Sequence, residues 1–492
     1  MRKLSYFLFL IPISTFCLNH PAHARLNTIT GGITMGFDYD ETQYERDTAE
    51  SIPLLNQDTS QQQLRIGPLF IFETTSSTDG LTISYNPSYV YDFEDSQSDV
   101  DHNLSITAFH DFTRRLRIEL GENFIYSDDP ELLDAETSSD FNSGRRRYWT
   151  NAVNINSSYT YDTDSSIGAG YSYEILRNDD TGPGGYEDYD RHIIDLSLQH
   201  RINTAWNFSL FTNYTRGLFD PPDPILVERT ETILEEISPG ITETIVTEDL
   251  SNDLSEYQFG GTINWILSSR KTFLVSYDFS LTDYDALLRY DTYLHNLTFG
   301  TQYQHTRRLS FEIGAGPSYE KTETFDPNWG YNGHLNLNYE IAERTNIGAG
   351  VEKGYDQENF SADNNLLGRD RGLTEFWNFN LDFSHQLNAD LTATLFGSYR
   401  DERQEDILQG FVNSIEVDAA LASTDRQTFR EESIFTRKIY EAGGSLSYTF
   451  LQWYTASLSY TYRDQDSERL NDSYDEHRIF LTLAFQKELL RW

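Results

Sequence analysis

Carboxylates recur along this chain at alternate positions of segments whose other residues are apolar. Asp101, Asp111, Glu119, Glu174, Asp195, Asp278, Glu312, Glu340, Glu352 and Asp382 stand in such segments. Arg117, Arg201, Arg400 and Arg478 are the fewer bases, and Asn, Ser, Thr and Gln fill most of the rest. Acids strung out in this way do not converge on one reacting atom. Set around a wet cavity, they would raise the local concentration of cations and repel anions. The bland alternative is that they merely solvate the wall of a closed or plugged interior. Both readings stay open at this point.

Other chemistries find less support. No two histidines stand at i, i+2 on one strand face or at i, i+4 on a helix, so no metal site is expected. Asp-x-Asp pairs such as Asp162 with Asp164 and Asp464 with Asp466 fall short of the EF-hand spacing that calcium requires. Ile-Gly-Ala-Gly occurs at Ile167–Gly170, Ile313–Gly316 and Ile347–Gly350, but no Lys-Ser/Thr follows to make a phosphate loop. Inward glycines that free space or let strands bend are the better account. Ser197 with His334 is a nominal hydrolase pair that nothing in the sequence singles out. Neither an enzymatic reaction nor a cofactor is expected.

The elements that position the acids follow from composition and period. The chain has 492 residues, with Lys+Arg 37 against Asp+Glu 78 and a net charge of −41. That surplus disfavours a nucleic-acid partner, which is held by bases. Disorder is the usual reading of such acidity, but aromatic residues reach 14%, a load that only a folded chain carries. Residues 1–24 read as an export signal: Arg2 and Lys3, an apolar run from Leu4 to Leu18, then the small-x-small pattern Ala22-His23-Ala24. The only cysteine, Cys17, lies inside that run, so the remaining chain, 25–492, has no disulfide to hold it. The reading starts the first strand almost at Arg25, with no globular plug ahead of it.

Alternation with period two runs through nearly all of residues 25–492. Leu81, Ile83, Tyr85, Tyr89, Tyr91 and Phe93 alternate with polar residues, as do Trp377, Phe379, Leu381 and Phe383. Phe109, Phe211, Leu274 and Phe396 are exceptions on the polar face. Tyr, Trp and His, including Trp377, recur at the ends of apolar faces. His102 and His110 bracket Leu104, Ile106 and Ala108, and His192 and His200 bracket Ile194, Leu196 and Leu198. Eight residues at about 3.3 Å, tilted by about 40°, span roughly 20 Å, close to the apolar band of a membrane barrel. Amphipathic rings suit the two edges of that band.

Connection lengths agree. About twenty strands are expected, from near Thr28–Tyr39 to near Arg478–Phe485, with short turns and long acidic connections in alternation. Short turns fall near Thr113–Arg115, Asp162–Ser165, Asn203–Thr204, Ser268–Lys271, His305–Arg308, Ala342–Arg344, Asn388–Asp390 and Leu451–Gln452. Of the long ones, Val227–Glu248 reads as a hairpin around Ser238-Pro239-Gly240, and Glu405–Ala422 has the spacing for a short amphipathic helix through Ile407, Phe411 and Ile415; a solvated extracellular loop is the first reading of each, a constriction folded inward the second. The fold class is therefore all-β: a transmembrane antiparallel up-and-down barrel with both termini on the short-turn, periplasmic side.

The closing segment is Ser457-Leu458-Ser459-Tyr460-Thr461-Tyr462-Arg463, an acidic loop, then Tyr474 and His477 to Phe485. It resembles the last hairpin of porin-like outer-membrane β-barrel proteins, and looks most like families associated with exopolysaccharide loci. The resemblance implies a channel in the outer membrane of a Gram-negative bacterium that passes a hydrophilic solute or assists polysaccharide export. It implies outer-membrane lipid, lipopolysaccharide and the barrel assembly machinery as partners. Phe485 and Trp492 are the expected assembly signal. Trp492 is out of phase with Ile479, Leu481, Leu483 and Phe485, so either the signal ends at Phe485 or a bulge restores register. A non-conducting barrel that acts through its extracellular loops is the rival expectation.

Overall fold

The computed structural model describes residues 25–44, 58–94, 96–128, 147–179, 188–220, 253–285, 291–322, 327–357, 373–412, 427–468 and 473–492. For residues 59, 356–357, 404–412 and 427–435 only the backbone is described. The first strands are β1 (Leu26–Tyr44), β2 (Thr59–Thr75), β3 (Asp79–Tyr85), β4 (Ser88–Asp92), β5 (Ser98–Asp111), β6 (Leu116–Ser127) and β7 (Tyr148–Asp162). There follow β8 (Ser165–Asn178), β9 (Tyr189–Arg201), β10 (Trp206–Phe219), β11 (Leu254–Ser268), β12 (Lys271–Tyr284), β13 (Thr292–Gln304) and β14 (Leu309–Thr322). The last are β15 (Asn328–Ala342), β16 (Thr345–Gln357), β17 (Leu373–Gln386), β18 (Leu391–Val412), β19 (Gln427–Phe450), β20 (Tyr454–Ser467) and β21 (Tyr474–Arg491).

Except for β3 and β4, which do not pair with each other, each strand pairs antiparallel with its neighbours in the chain, and β1 pairs with β21 from Thr28↔Arg491 to Tyr44↔Tyr474, which closes the sheet. β2 and β5 each pair with both β3 and β4, so those two are halves of one interrupted stave and the barrel has twenty. The interruption falls at Asn86-Pro87, where proline has no N–H to give the ladder. Opposite it stands Gly67, where an added Cβ would come within 2.0 Å of the Pro87 carbonyl oxygen. No residue with a side chain fits that approach.

Short turns gather at one end and long connections at the other, as the spacing predicts, with Ser76–Thr78 as an additional short turn. Their sequences explain their tightness. Thr113 and Thr306 each accept, on Oγ1, two backbone N–H groups just downstream, and Asn203 and Asn388 do so on Oδ1. The Leu451–Gln452 turn instead places two non-glycine residues at positive φ, 52° and 65°.

Two expectations change. The strands extend further than the alternation indicates, from Leu26 to Arg491. The short helix that the spacing allows over Glu405–Ala422 is not present in its first part. β18 continues to Val412 and is laddered with β19 as far as Val412↔Gln427. Ile407 and Phe411 are four apart, a spacing that fits one face of a strand as well as a turn of helix, and the ladder satisfies their backbone groups. Residues 413–422, the Val227–Glu248 hairpin and the export signal lie outside the described residues.

The barrel has two chemically distinct faces. The face that carries the aliphatic and aromatic residues leaves many of them broadly exposed, among them Ile33, Ile263, Phe299, Leu381 and Leu458. Apolar side chains are buried instead on the other, inner phase, at the long-connection ends of β6 to β12. There Ile125, Tyr148, Leu176, Tyr189, Phe219, Leu254 and Tyr284 form one cluster.

Candidate functional site

Period two carries all twelve predicted lumen residues onto the inner face: Asp101, Asp111, Glu119, Glu174, Asp195, Arg201, Asp278, Glu312, Glu340, Glu352, Asp382 and Arg400. Their partners divide them by height. Near the long connections the acids are matched by bases. Asp101 meets Arg65 at 3.2 Å and Arg147 at 3.3 Å, and accepts a hydrogen bond from Ser127. Glu174 lies 3.8 Å from Arg191 and accepts from the Tyr189 hydroxyl. Arg478 holds Asp38 at 3.1 Å, while Arg437, at 2.6 Å, and Arg400 both hold Glu402. Asp38, Glu402 and Asp101 are almost fully buried.

Lower down the pairing thins out. Arg117 holds Glu119 at 2.6 Å with Asp111 at 4.0 Å, Arg201 holds Asp164, and Glu312 lies 3.2 Å from His334. Among the described residues Asp195, Asp278, Glu340, Glu352 and Asp382 have no ion-pair or side-chain hydrogen-bond partner. The inner face is therefore a wall of matched ions at one end, whereas through the middle and the short-turn end matched groups stand beside unmatched ones. Arg65, Arg191 and Arg437 belong to the matched wall and were missed in the sequence. The alternation that placed Arg400 also places them; Arg65, for example, stands between the outward Leu64 and Ile66.

The inward apolar exceptions have a common cause. Phe109, Phe211, Leu274 and Phe396 stand directly across from Gly80, Gly260, Gly300 and Gly443. Each side chain lies over the bare glycine, close enough that an added Cβ at Gly260 would be 2.4 Å from the Phe211 ring. The Ile-Gly-Ala-Gly glycines also face inward. Gly316 is required by a backbone approach, since its Cβ would fall 1.7 Å from the Leu297 carbonyl oxygen. Ser197 and His334 lie on β9 and β15, which are not neighbours, so the structure does not bring the nominal pair together.

On the outer face, rings form two belts eight residues apart along single strands: Trp206 and Tyr214, Trp265 and Tyr257, Tyr303 and His295, Tyr339 and Tyr331, Tyr448 and Tyr440. The predicted belt residues all lie on this face. His102 and His192 take hydrogen bonds with Tyr85 and Tyr171, both at 2.9 Å, in the belt near the long connections. Tyr277 with His295 and Tyr460 with His477 repeat that contact. Trp377 stacks on Phe379 in the same belt. In the other belt His200 bonds Tyr161 at 2.9 Å and His110 meets Phe112 edge-on. Between the belts, among the described residues, one carboxylate faces outward: Glu122, with the Asn151 amide 3.5 Å away.

A bulge resolves the phase of the C-terminus. Pairing passes from Ile29↔Leu490 to Thr30↔Glu488, which skips Leu489. The slip puts Trp492 opposite Asn27, with which it exchanges two backbone hydrogen bonds, on the same outer phase as Phe485.

Comparison with solved structures bears on the fold. The FrpB iron transporter from Neisseria meningitidis (F5-1 variant) is similar with a TM-score of 0.50 and 11% identity, over 93% of this chain and 82% of its own. The siderophore receptor PirA from Acinetobacter baumannii has a TM-score of 0.47 and 8% identity, over 92% and 80%. OccAB4 of the same organism gives 0.41 and 10%, over 94% and 98%. At such identities the likeness to FrpB extends to the barrel fold alone. No protein-family model and no curated protein matches the chain.

Proposed function

We propose that this chain is an outer-membrane channel for small hydrophilic solutes, with a lumen that favours cations and with its short turns and termini in the periplasm. The observation that carries the reading is the pairing of an aromatic-bordered apolar outside with five unmatched carboxylates inside: Asp195, Asp278, Glu340, Glu352 and Asp382. Fixed negative charge on a wet wall gathers cations. The resemblance of the closing hairpin adds polysaccharide export as the cargo to test, and the outward Trp492 supports recognition by the assembly machinery. Lipid and lipopolysaccharide are the partners of the outer face. The nearest test is single-channel recording in a planar bilayer under a salt gradient. Conductance with a cation-selective reversal potential is expected, and an anion-selective potential would overturn the charge argument.

A second reading has its own observation. At the long-connection end, inner-face side chains on most staves are buried, including the apolar cluster of β6 to β12 and the ion pairs of Asp38, Asp101 and Glu402. A lumen filled at that end supports a barrel that acts through its surface instead of conducting. Absence of any conductance in the same recordings would select it.

A further inference from the structure

At the short-turn end the inner wall holds a half-open cavity of about 580 Å³ that contains charges of both signs. The turn before β14 contributes Arg307 and Arg308, β15 contributes Asn338 and Glu340, and Asp382 and Phe396 come from β17 and β18. Although they share one cavity, neither arginine pairs with either acid, and none of the four charged groups has another partner among the described residues. By contrast Arg65, Arg117, Arg147, Arg191, Arg201, Arg400, Arg437 and Arg478 each have a carboxylate within 4.0 Å.

The cavity is built rather than accidental. Thr306 Oγ1 takes the backbone N–H groups of Arg308 and Leu309, and the Arg308 carbonyl accepts the Glu340 N–H at 2.8 Å, so the turn that bears both arginines is pinned to the strand that bears one of the acids. Asn338 and Asp382 flank the same residue of β16, Gly348. Its missing side chain is the space: an added Cβ there would meet Asp382 and Asn338 only at 3.6 to 3.7 Å, ordinary contact distance. A volume of this size suits a drug-sized ligand, such as an amino acid or a dipeptide.

We propose that this cavity binds a small zwitterionic solute of the amino-acid or short-peptide class, its carboxylate held by Arg307 and Arg308 and its ammonium group by Glu340 and Asp382. Arginine forks match carboxylates in pairs, and two carboxylates match one ammonium. A simple anion would leave the acids facing it, and a simple cation would leave the arginines. The Asn338 amide and the Phe396 ring supply a polar and an apolar contact to the body of the solute. The inference rests on the reading of the lumen as open to solutes from the short-turn side.

The test is calorimetric titration of the full-length protein in detergent micelles with the dipeptide alanyl-alanine, its N-acetyl form, its C-terminal amide, and a neutral disaccharide. The free dipeptide is expected to bind, and each capped form to bind at least tenfold more weakly, since each loses one charge. Arg308→Gln and Asp382→Asn should each weaken binding of the free dipeptide by a similar factor. Gly348→Leu, which fills the space and alters no charge, should abolish it. Bilayer conductance of the same preparations separates the two proposals. Conducting protein that binds all four probes alike, prefers the disaccharide, or binds none overturns the zwitterion site alone. Dipeptide binding by protein that never conducts upholds the site and removes the pore.

Discussion

Glu122 faces outward from β6 four residues below Tyr126, among Ile106 and Val153 on the neighbouring strands. A carboxylate in acyl chains is costly even with one amide for company. Replacement by leucine is therefore expected to stabilise the folded protein by about 1–2 kcal/mol, less than the figures for lysine or arginine at mid-membrane. Urea unfolding in lipid vesicles, followed by tryptophan fluorescence, measures this. A destabilised Glu122→Leu would show that this face does not meet acyl chains. The opposite sign is expected at Gly260. There Phe211 occupies the space a side chain would need, so Gly260→Val should cost about 1–3 kcal/mol through a displaced ring. Gly348→Leu should cost little, because its side chain enters empty volume.

The elements were largely legible because an up-and-down barrel with unlike faces writes its pattern twice, in the alternation of faces and in turn lengths. Thr113, Asn203, Thr306 and Asn388 mark their turns by side-chain chemistry that any reader of the sequence can find. What could not be read was pairing between strands. Phe211 is an exception on its own strand, and its reason, Gly260, stands on the next one; Trp492 is out of phase by count, and the Leu489 bulge absorbs the slip. Strand ends were underestimated where pairing partners, and not apolar content, sustain the ladder, as in β18 and β19. The bulge yields a paired prediction. Deletion of Leu489 leaves Trp492 on the outer phase and should leave assembly unchanged. Insertion of one alanine after Leu490 turns Trp492 inward and should lower the heat-modifiable, folded fraction recovered from membranes. Equal recovery of the two variants would remove Trp492 from the assembly signal.

For the molecule as a whole, the matching of charge changes along the axis. A twenty-stave barrel tilted by about 40° measures roughly 40 Å across its backbone. The screening length at physiological salt is only about 8 Å, so on the proposed reading of an open lumen wall carboxylates would govern only ions that travel near the wall. Cation preference is expected to be modest at that salt and to grow as the bath is diluted. Neutralising Asp195, Asp278, Glu340, Glu352 and Asp382 together as Asn or Gln should bring the reversal potential toward zero. A variant that keeps the native reversal potential would assign selectivity to other groups. The candidate residues were readable one by one, since alternation gives the face. Their division into matched and unmatched groups was not, because it depends on which strands meet.

The break at Asn86-Pro87 leaves its own signature in time. The β13–β14 ladder skips two pairs at Gly316-Pro317 but both of its strands stay continuous, whereas here β2 and β5 are bridged by two short pieces, the shorter being Ser88–Asp92. Amide protons around Gly67 and Tyr89 should thus trade with deuterated solvent ahead of those on β10 or β16. If the cylinder ever parts sideways, this seam is where it would begin to unzip.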